Sequence, residues 1–177
     1  MDMIDFKKLY GLLEDVTPLK EDCGGLCGAR CCTEWDKGVG VLLLPGEEKM
    51  FGEKDWCRLA ELPPEEQPFP GENSYLLYCR GTCPREERPL LCRTFPLAPF
   101  MDENDGVKLI LDEDGLLVCP LVKLGKMERL DPHFIGNVLQ VWRELAGKKF
   151  ARAYIENYTA RVKSQMEQPW RKLLGLL

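Results

Sequence analysis

Histidine is nearly absent from this 177-residue chain; His133 is the only one. Imidazole-based metal sites and Cys–His nucleophile pairs therefore have a single residue to draw on. His133 follows Asp131-Pro132 at a helix start and reads as a surface or capping residue. Long apolar runs are missing too: nothing approaches the roughly 20 residues a membrane-spanning helix needs. The stretch Met1-Asp-Met-Ile-Asp-Phe-Lys-Lys has no apolar segment behind a basic start, so it does not read as a secretory signal. Basic excess is lacking, with 24 Lys and Arg against 29 Asp and Glu and a net charge of −5. That balance argues against general nucleic-acid binding, which needs a basic surface for phosphate contacts. Gly38-x-Gly40 stops short of a dinucleotide fingerprint, and no phosphate loop is present. The acidic runs Asp102-Glu-Asn-Asp105 and Asp112-Glu-Asp114 lack the EF-hand pattern and read as solvated loops. These absences together predict a cytoplasmic protein without a membrane or general nucleic-acid partner.

Cysteine, by contrast, is present in an unusual arrangement. Seven of the nine fall in two knots, Cys23-x3-Cys27-x3-Cys31-Cys32 and Cys79-x3-Cys83-x8-Cys92, with Cys57 and Cys119 outside them. An odd count cannot pair completely within the chain. The density, about 5%, is below the roughly 8–10% of a disulfide scaffold. In a reducing compartment such clusters are more often metal ligands or redox groups than structural disulfides. With 45% hydrophobic residues, the chain can bury a core without cross-links.

The remaining pattern predicts an α+β fold. A small irregular cysteine-rich metal-binding core with short strands is joined to an N-terminal helix and a C-terminal helical hairpin. A single domain is expected over residues 1–177, with the cysteine-cluster region at 20–120 and the hairpin at 131–166. Ile4, Leu9, Leu12, Leu13 and Val16 recur at helical spacing over residues 1–16, bounded by Pro18. Residues 20–38, rich in glycine, read as a wrapped loop. A strand is expected at 39–44, short helices near 47–51 and 56–61, a proline-rich loop at 63–72 and a strand at 75–78. Helical residues 86–93 are broken by Pro89, and a β-hairpin is expected from 107–111 and 116–118 around Asp112-Glu-Asp-Gly115. Asp131-Pro132 opens a helix whose apolar face is Phe134, Val138, Val141, Trp142 and Leu145. A second helix from Lys148 to about Met166 carries Phe150, Ala153, Tyr154, Tyr158 and Val162. The two are expected to pack on the cysteine-bearing region. The amphipathic tail Trp170–Leu177 is expected to dock on the core or on a protein partner.

Thiolate sulfur is a soft ligand that suits zinc, iron–sulfur clusters and Cu(I). Structural zinc takes four ligands, and so do [2Fe–2S] and [4Fe–4S] clusters. An all-sulfur donor set favours iron–sulfur slightly over zinc. Adjacent Cys31 and Cys32 point in different directions in most backbone conformations. Either one ligates while the other packs, or they serve two different centres. Arg30, Arg80 and Arg93 lie beside cysteines and can offset thiolate charge, or stand as ordinary surface residues. Cys57, beside Trp56 and near Leu59, reads as a packed core thiol.

The segments Cys27-Gly-Ala-Arg-Cys31-Cys32 and Gly81-Thr-Cys83-Pro-Arg-Glu-Glu-Arg88-Pro89-Leu-Leu-Cys92-Arg93-Thr-Phe95-Pro96 resemble the YkgJ-like cysteine-cluster family, described as a zinc- or iron-chelating domain. The resemblance covers roughly Cys23 to Cys119, and the run from Arg88 to Pro96 is its most specific part. It implies Cys27, Cys31, Cys32, Cys83 and Cys92 as ligands, with Cys23 as the first of the opening set. The gaps of three residues here depart from the family's commonest Cys-x-x-Cys-x-x-Cys-Cys opening. Cys79 and Cys119 are added as further ligands. A shorter resemblance, Cys31-Cys32-Thr-Glu-Trp35, is to flagellin lysine N-methylases and implies a methyl-transferring enzyme as an alternative. The leading expectation is a metal-binding protein, iron–sulfur or zinc, acting in redox or metal handling. A structural zinc domain that contacts proteins through its C-terminal helices is the third reading.

Overall fold

The computed structural model describes residues 4–33, 40–69, 71–81 and 83–167. Trp35, Val39 and the tail Trp170–Leu177 lie outside the described residues.

Two C-terminal helices and one N-terminal helix enclose the largest core. Helix α1 spans Phe6–Leu12, opened by the Asp5 carboxylate, which accepts the Lys8 N–H. It stops well before Val16. The Arg85 guanidinium takes the carbonyls of Glu14 and Val16, so those oxygens face another segment instead of continuing the helix. Residues 24–33, expected as loop, hold two single-turn helices, α2 (Gly24–Cys27) and α3 (Arg30–Thr33). Gly28 and Ala29, at φ 65 and 54, reverse the chain between them.

Strands β1 (Val41–Leu43), β2 (Cys57–Glu61) and β3 (Tyr75–Cys79) form an antiparallel sheet in the order β1-β3-β2. Residues 57–61 are thus strand, not the expected helix. Their helix-forming Leu, Ala and Glu are overridden by full pairing with β3, where Cys57 faces Cys79 and Leu59 faces Leu77. Glu47–Met50 is a 3₁₀ turn, and Pro64–Glu66 is another within the proline-rich loop.

After a 3₁₀ turn at Arg85–Glu87, Pro89 opens helix α4 (Leu90–Thr94). Strand β4 (Leu97–Met101) follows the cis Phe95–Pro96 bond. It pairs with β5 (Val107–Leu111), Leu97 opposite Leu111. The expected hairpin between 107–111 and 116–118 is therefore incorrect. The partner of β5 lies before it, and Glu113–Leu116 is a 3₁₀ turn. Every residue of β4 is buried. Such a continuously apolar run has no alternation to mark it as a strand. The turn between β4 and β5 is set by Asp102, whose carboxylate accepts the N–H groups of Asn104 and Gly106.

Short helix α5 (Pro120–Lys123) leads to α6 (Pro132–Ala146) and α7 (Lys149–Met166). In α6 the expected face is buried in full: Phe134, Val138, Val141, Trp142 and Leu145. In α7 the buried stripe is Ala151, Ile155, Tyr158, Thr159 and Val162. Phe150 and Tyr154 sit at its edge; Phe150 meets the Phe69 ring edge-on, and Tyr154 is tilted against Phe69 and stacked on Trp142. The pair packs on β4 and β5 and, through α6, on α1. This is within the cysteine-bearing stretch but away from the thiols. Asp131 caps α6, accepting the N–H groups of His133 and Phe134 at 2.8 and 3.3 Å. Asp131→Ala is expected to lower stability by about 1 kcal/mol, read from the urea midpoint at unchanged slope. An unchanged midpoint would show that the cap contributes nothing.

Candidate metal centre

Four separate segments deliver the thiols. Residues 22–33 carry Cys23, Cys27, Cys31 and Cys32. The Asp22 carboxylate accepts the Gly24 N–H at 3.0 Å and starts α2. Cys23 stands just before that turn and Cys27 at its end. Ala29 then holds a left-handed backbone conformation that favours glycine, and the Cys32 N–H bonds to its carbonyl at 2.7 Å. That reversal brings α3, with Cys31 and Cys32, back beside α2.

The second segment is residues 83–94, with Cys83 at its start and Cys92 on α4. The Arg93 guanidinium clasps the carbonyls of Arg88, Arg85 and Glu86 at 2.8, 3.0 and 2.9 Å and lies over the Tyr10 ring at 4.3 Å. Arg93 thus holds the turn that presents Cys92, a structural duty the linear sequence does not reveal. The third segment presents Cys119, buried just before α5, with its N–H bonded to the Gly115 carbonyl at 2.8 Å. Gly115 is required here: a Cβ would come within 2.8 Å of Val122 and 2.9 Å of the Phe95 ring. The fourth is the end of β3, where Cys79 is exposed opposite Cys57. Cys57 itself is buried among Leu43, Phe51 and Leu77. It packs, as its apolar neighbours predict.

Cys23, Cys27, Cys31, Cys32, Cys92 and Cys119 line one cavity of about 270 Å³. Leu13, Val16, Phe95, Pro96 and Val118 give it apolar walls, while Arg85, Arg88 and Arg93 contribute cations and Asp22 a carboxylate. Cys79 and Cys83 are not part of that lining; Cys83 accepts a hydrogen bond from Arg88. His133 is exposed at the start of α6 and lines no part of the cavity. Among the described residues, no three His, Cys, Asp or Glu side chains are gathered closely enough to hold a metal ion. The thiols ring a space instead of meeting at a point.

The electrostatics are set by crowded sulfur and by three guanidiniums, of which Arg88 hydrogen-bonds a thiol. The Cys31 thiol donates to the Cys32 sulfur, which pulls Cys32 down to about 6 against its desolvation, with Arg88 lowering it further. The same bond, then burial, pushes Cys31 far up. Of the two, Cys32 is the thiol whose ionisation is favoured. Burial, then the Cys83 and Cys32 charges, raises Cys79 to about 11. Cys92 is also pushed up, first by burial and then by Cys83, Cys32 and Cys79. Burial and the neighbouring Asp22, Cys27 and Cys119 raise Cys23. Thiolates packed this way repel one another, and a bound cation relieves that repulsion.

Arg88, which opens the most specific run of the sequence, was given no charge-offsetting role by sequence reasoning. It is held near Cys83, Cys32 and Cys92, and its Nε is buried without a hydrogen-bond partner among the described residues. The available signal was its place four residues before Cys92, but adjacency drew attention to Arg30, Arg80 and Arg93 instead. A ring of thiols, a guanidinium with an unused donor and apolar walls make a donor set that fits a thiophilic inorganic group. No protein-family model, no curated protein and no solved structure matches this chain.

Proposed function

We propose that this chain is a metal-binding protein that carries an iron–sulfur centre on its cysteines and serves electron transfer or metal handling. The observation that carries the reading is the cavity: six thiols from three segments face one space of about 270 Å³. Size favours a cluster over a single ion. Zinc binds sulfur at about 2.3 Å, so its four tetrahedral sulfurs lie only about 3.8 Å apart. A cluster brings its own sulfides and spreads its thiolate ligands further, as a ring of separated thiols requires.

Bound there, such a centre supplies a one-electron couple. Cys23, Cys27, Cys31, Cys32, Cys92 and Cys119 are the nearest ligands, with Cys79 and Cys83 completing the set. Arg88 offsets thiolate charge and has a free N–H for a sulfur. Phe95, Pro96 and Val118 keep water from one side of the cavity.

The test is the colour and metal content of protein purified without oxygen. The expected result is a brown protein with visible absorption and with iron and sulfide in equal amounts. Colourless protein containing zinc would overturn the iron–sulfur assignment. Protein without metal that takes up neither iron with sulfide nor zinc would overturn metal binding itself.

A further inference from the structure

Cys31 and Cys32 are the one pair of adjacent cysteines in the chain, and both are half-buried free thiols on the wall of the cavity. The Cys31 thiol donates to the Cys32 sulfur, so the two sulfurs are in contact. A thiol oxidised past sulfenic acid is lost irreversibly unless a second thiol condenses with it first. Here the second thiol is covalently adjacent. The trans peptide between the two residues holds their Cα atoms about 3.8 Å apart. Disulfides usually span about 4.4–6.8 Å between Cα atoms, so a bridge at this position is strained. Strained bridges have the more oxidising potentials and are reduced again with ease.

The local structure yields to such a bridge. Neighbouring side chains leave a helix about 100° apart, a divergence that an S–S bond of about 2.04 Å does not fit. Closing the bond therefore takes both residues out of α3. Little resists this, because α3 is four residues long and buries no side chain. Two backbone donors that hold it, the Cys32 and Thr33 N–H groups, share the single Ala29 carbonyl at 2.7 and 3.2 Å.

We propose that Cys31 and Cys32 are a reversible redox site, closed to a vicinal disulfide by a hydroperoxide and reopened by a low-molecular-weight thiol. In the forward step one sulfur attacks a peroxide oxygen, the O–O bond breaks, and an alcohol leaves (water, from hydrogen peroxide). The neighbouring thiol then attacks the sulfenic sulfur. The S–S bond forms, the S–O bond breaks, and the hydroxyl departs as water with the thiol proton. The two thiols have lost two electrons and two protons, and the hydroperoxide has gained them. In the return step two molecules of the small thiol give both back and leave as their own disulfide. The bridge removes two of the six cavity thiols from the ligand set, so the oxidised chain is closed to a metal centre until it is reduced. That consequence rests on the metal-binding reading above; the bridge itself does not.

The test treats the reduced, metal-free full chain with hydrogen peroxide, alkylates the remaining thiols with iodoacetamide and digests with trypsin. Cleavage after Arg30 and Lys37 releases a peptide whose only cysteines are Cys31 and Cys32. That peptide is expected unalkylated and about 2 Da lighter, the two hydrogens having been lost. Glutathione added before alkylation should return it to the doubly alkylated form. A peptide alkylated on both sulfurs after peroxide, one carrying sulfinic acid, or one linked to a peptide that holds another cysteine would overturn the proposal. A second measurement offers zinc ion, which binds thiolates without redox chemistry, to the reduced and the oxidised chain. The oxidised chain should lose most of the zinc binding of the reduced one and regain it after glutathione. Equal binding by both forms would overturn the closure of the site and leave the bridge standing. A reduced chain that binds no zinc and takes up no iron with sulfide would overturn the metal-binding reading, and the peptide map would still decide the bridge.

Discussion

Loading the protein with metal is expected to slow amide exchange across residues 22–33 by several orders of magnitude, while α6 and α7 exchange alike with and without it. The contrast follows from where apolar burial lies. Neither α2 nor α3 buries a side chain, and Leu26 is 73% exposed. Each is four residues long, far below the roughly 12–15 residues at which an isolated helix becomes even marginal in water. Their hydrogen bonds close within single turns, so in metal-free protein little opposes local opening. Helices α6 and α7 are anchored by Trp142, Phe134 and Ile155, all fully buried. Apparent binding free energies of structural zinc in small sites are about 10–16 kcal/mol. That matches or exceeds the 5–15 kcal/mol of a whole domain. Ligation through residues 23–32 would therefore lift this segment from the least protected to among the most protected. Hydrogen–deuterium exchange on loaded and chelator-stripped protein reads this directly. Equal protection of residues 22–33 in both forms would exclude those four cysteines as ligands.

The sequence made legible whatever depends on local pattern. The Asp131 cap, the apolar stripe of α6 and the strand at Tyr75–Cys79 all follow from neighbours a few residues apart. The strands at 57–61 and 97–101 were not legible, because pairing decides them. Residues 57–61 carry helix-forming side chains, and 97–101 is apolar throughout, so neither shows the period of two that marks a strand. At the site, the clustering of cysteines marked the segments that line the cavity, and Cys57 stood apart because its neighbours are apolar. The arginines were another matter. Arg93 is adjacent to Cys92 yet spends its donors on carbonyls of its own turn, whereas Arg88 reaches the thiols. Both line the cavity, and which of them bonds a thiol depends on the path of the 85–94 turn, which depends in turn on Tyr10 and Glu47, about 80 and 40 residues away.

Replacing Glu47 by alanine should therefore cost on the order of 4 kcal/mol, a large share of a domain's stability, although Glu47 touches no cysteine. Its side chain is fully buried. It accepts the Tyr10 hydroxyl at 2.6 Å, the Leu90 N–H at 2.7 Å and the Leu44 N–H at 3.0 Å. One carboxylate thus ties α1 to the residue that follows β1 and to the first residue of α4. Alanine would leave three donors buried without an acceptor, each costing about 1–3 kcal/mol. Tyr10→Phe removes only one of these bonds and should cost about 0.5–1.5 kcal/mol where the carboxyl is protonated and about 1.5–3 kcal/mol where it is ionised. Burial pushes the Glu47 carboxyl above the usual carboxylate range, opposed by those hydrogen bonds and by Arg93. The folded state then holds this proton more tightly than the unfolded chain does. Its contribution is full below the unfolded pKa and is lost as pH rises through the folded value. Glu47→Gln cannot titrate, so its stability relative to the parent should rise across that window. Urea denaturation of the metal-free proteins from pH 4 to 8 measures both effects. A loss under about 1 kcal/mol for Glu47→Ala would mean that the three donors find other acceptors, and the path of the 85–94 turn would need another cause.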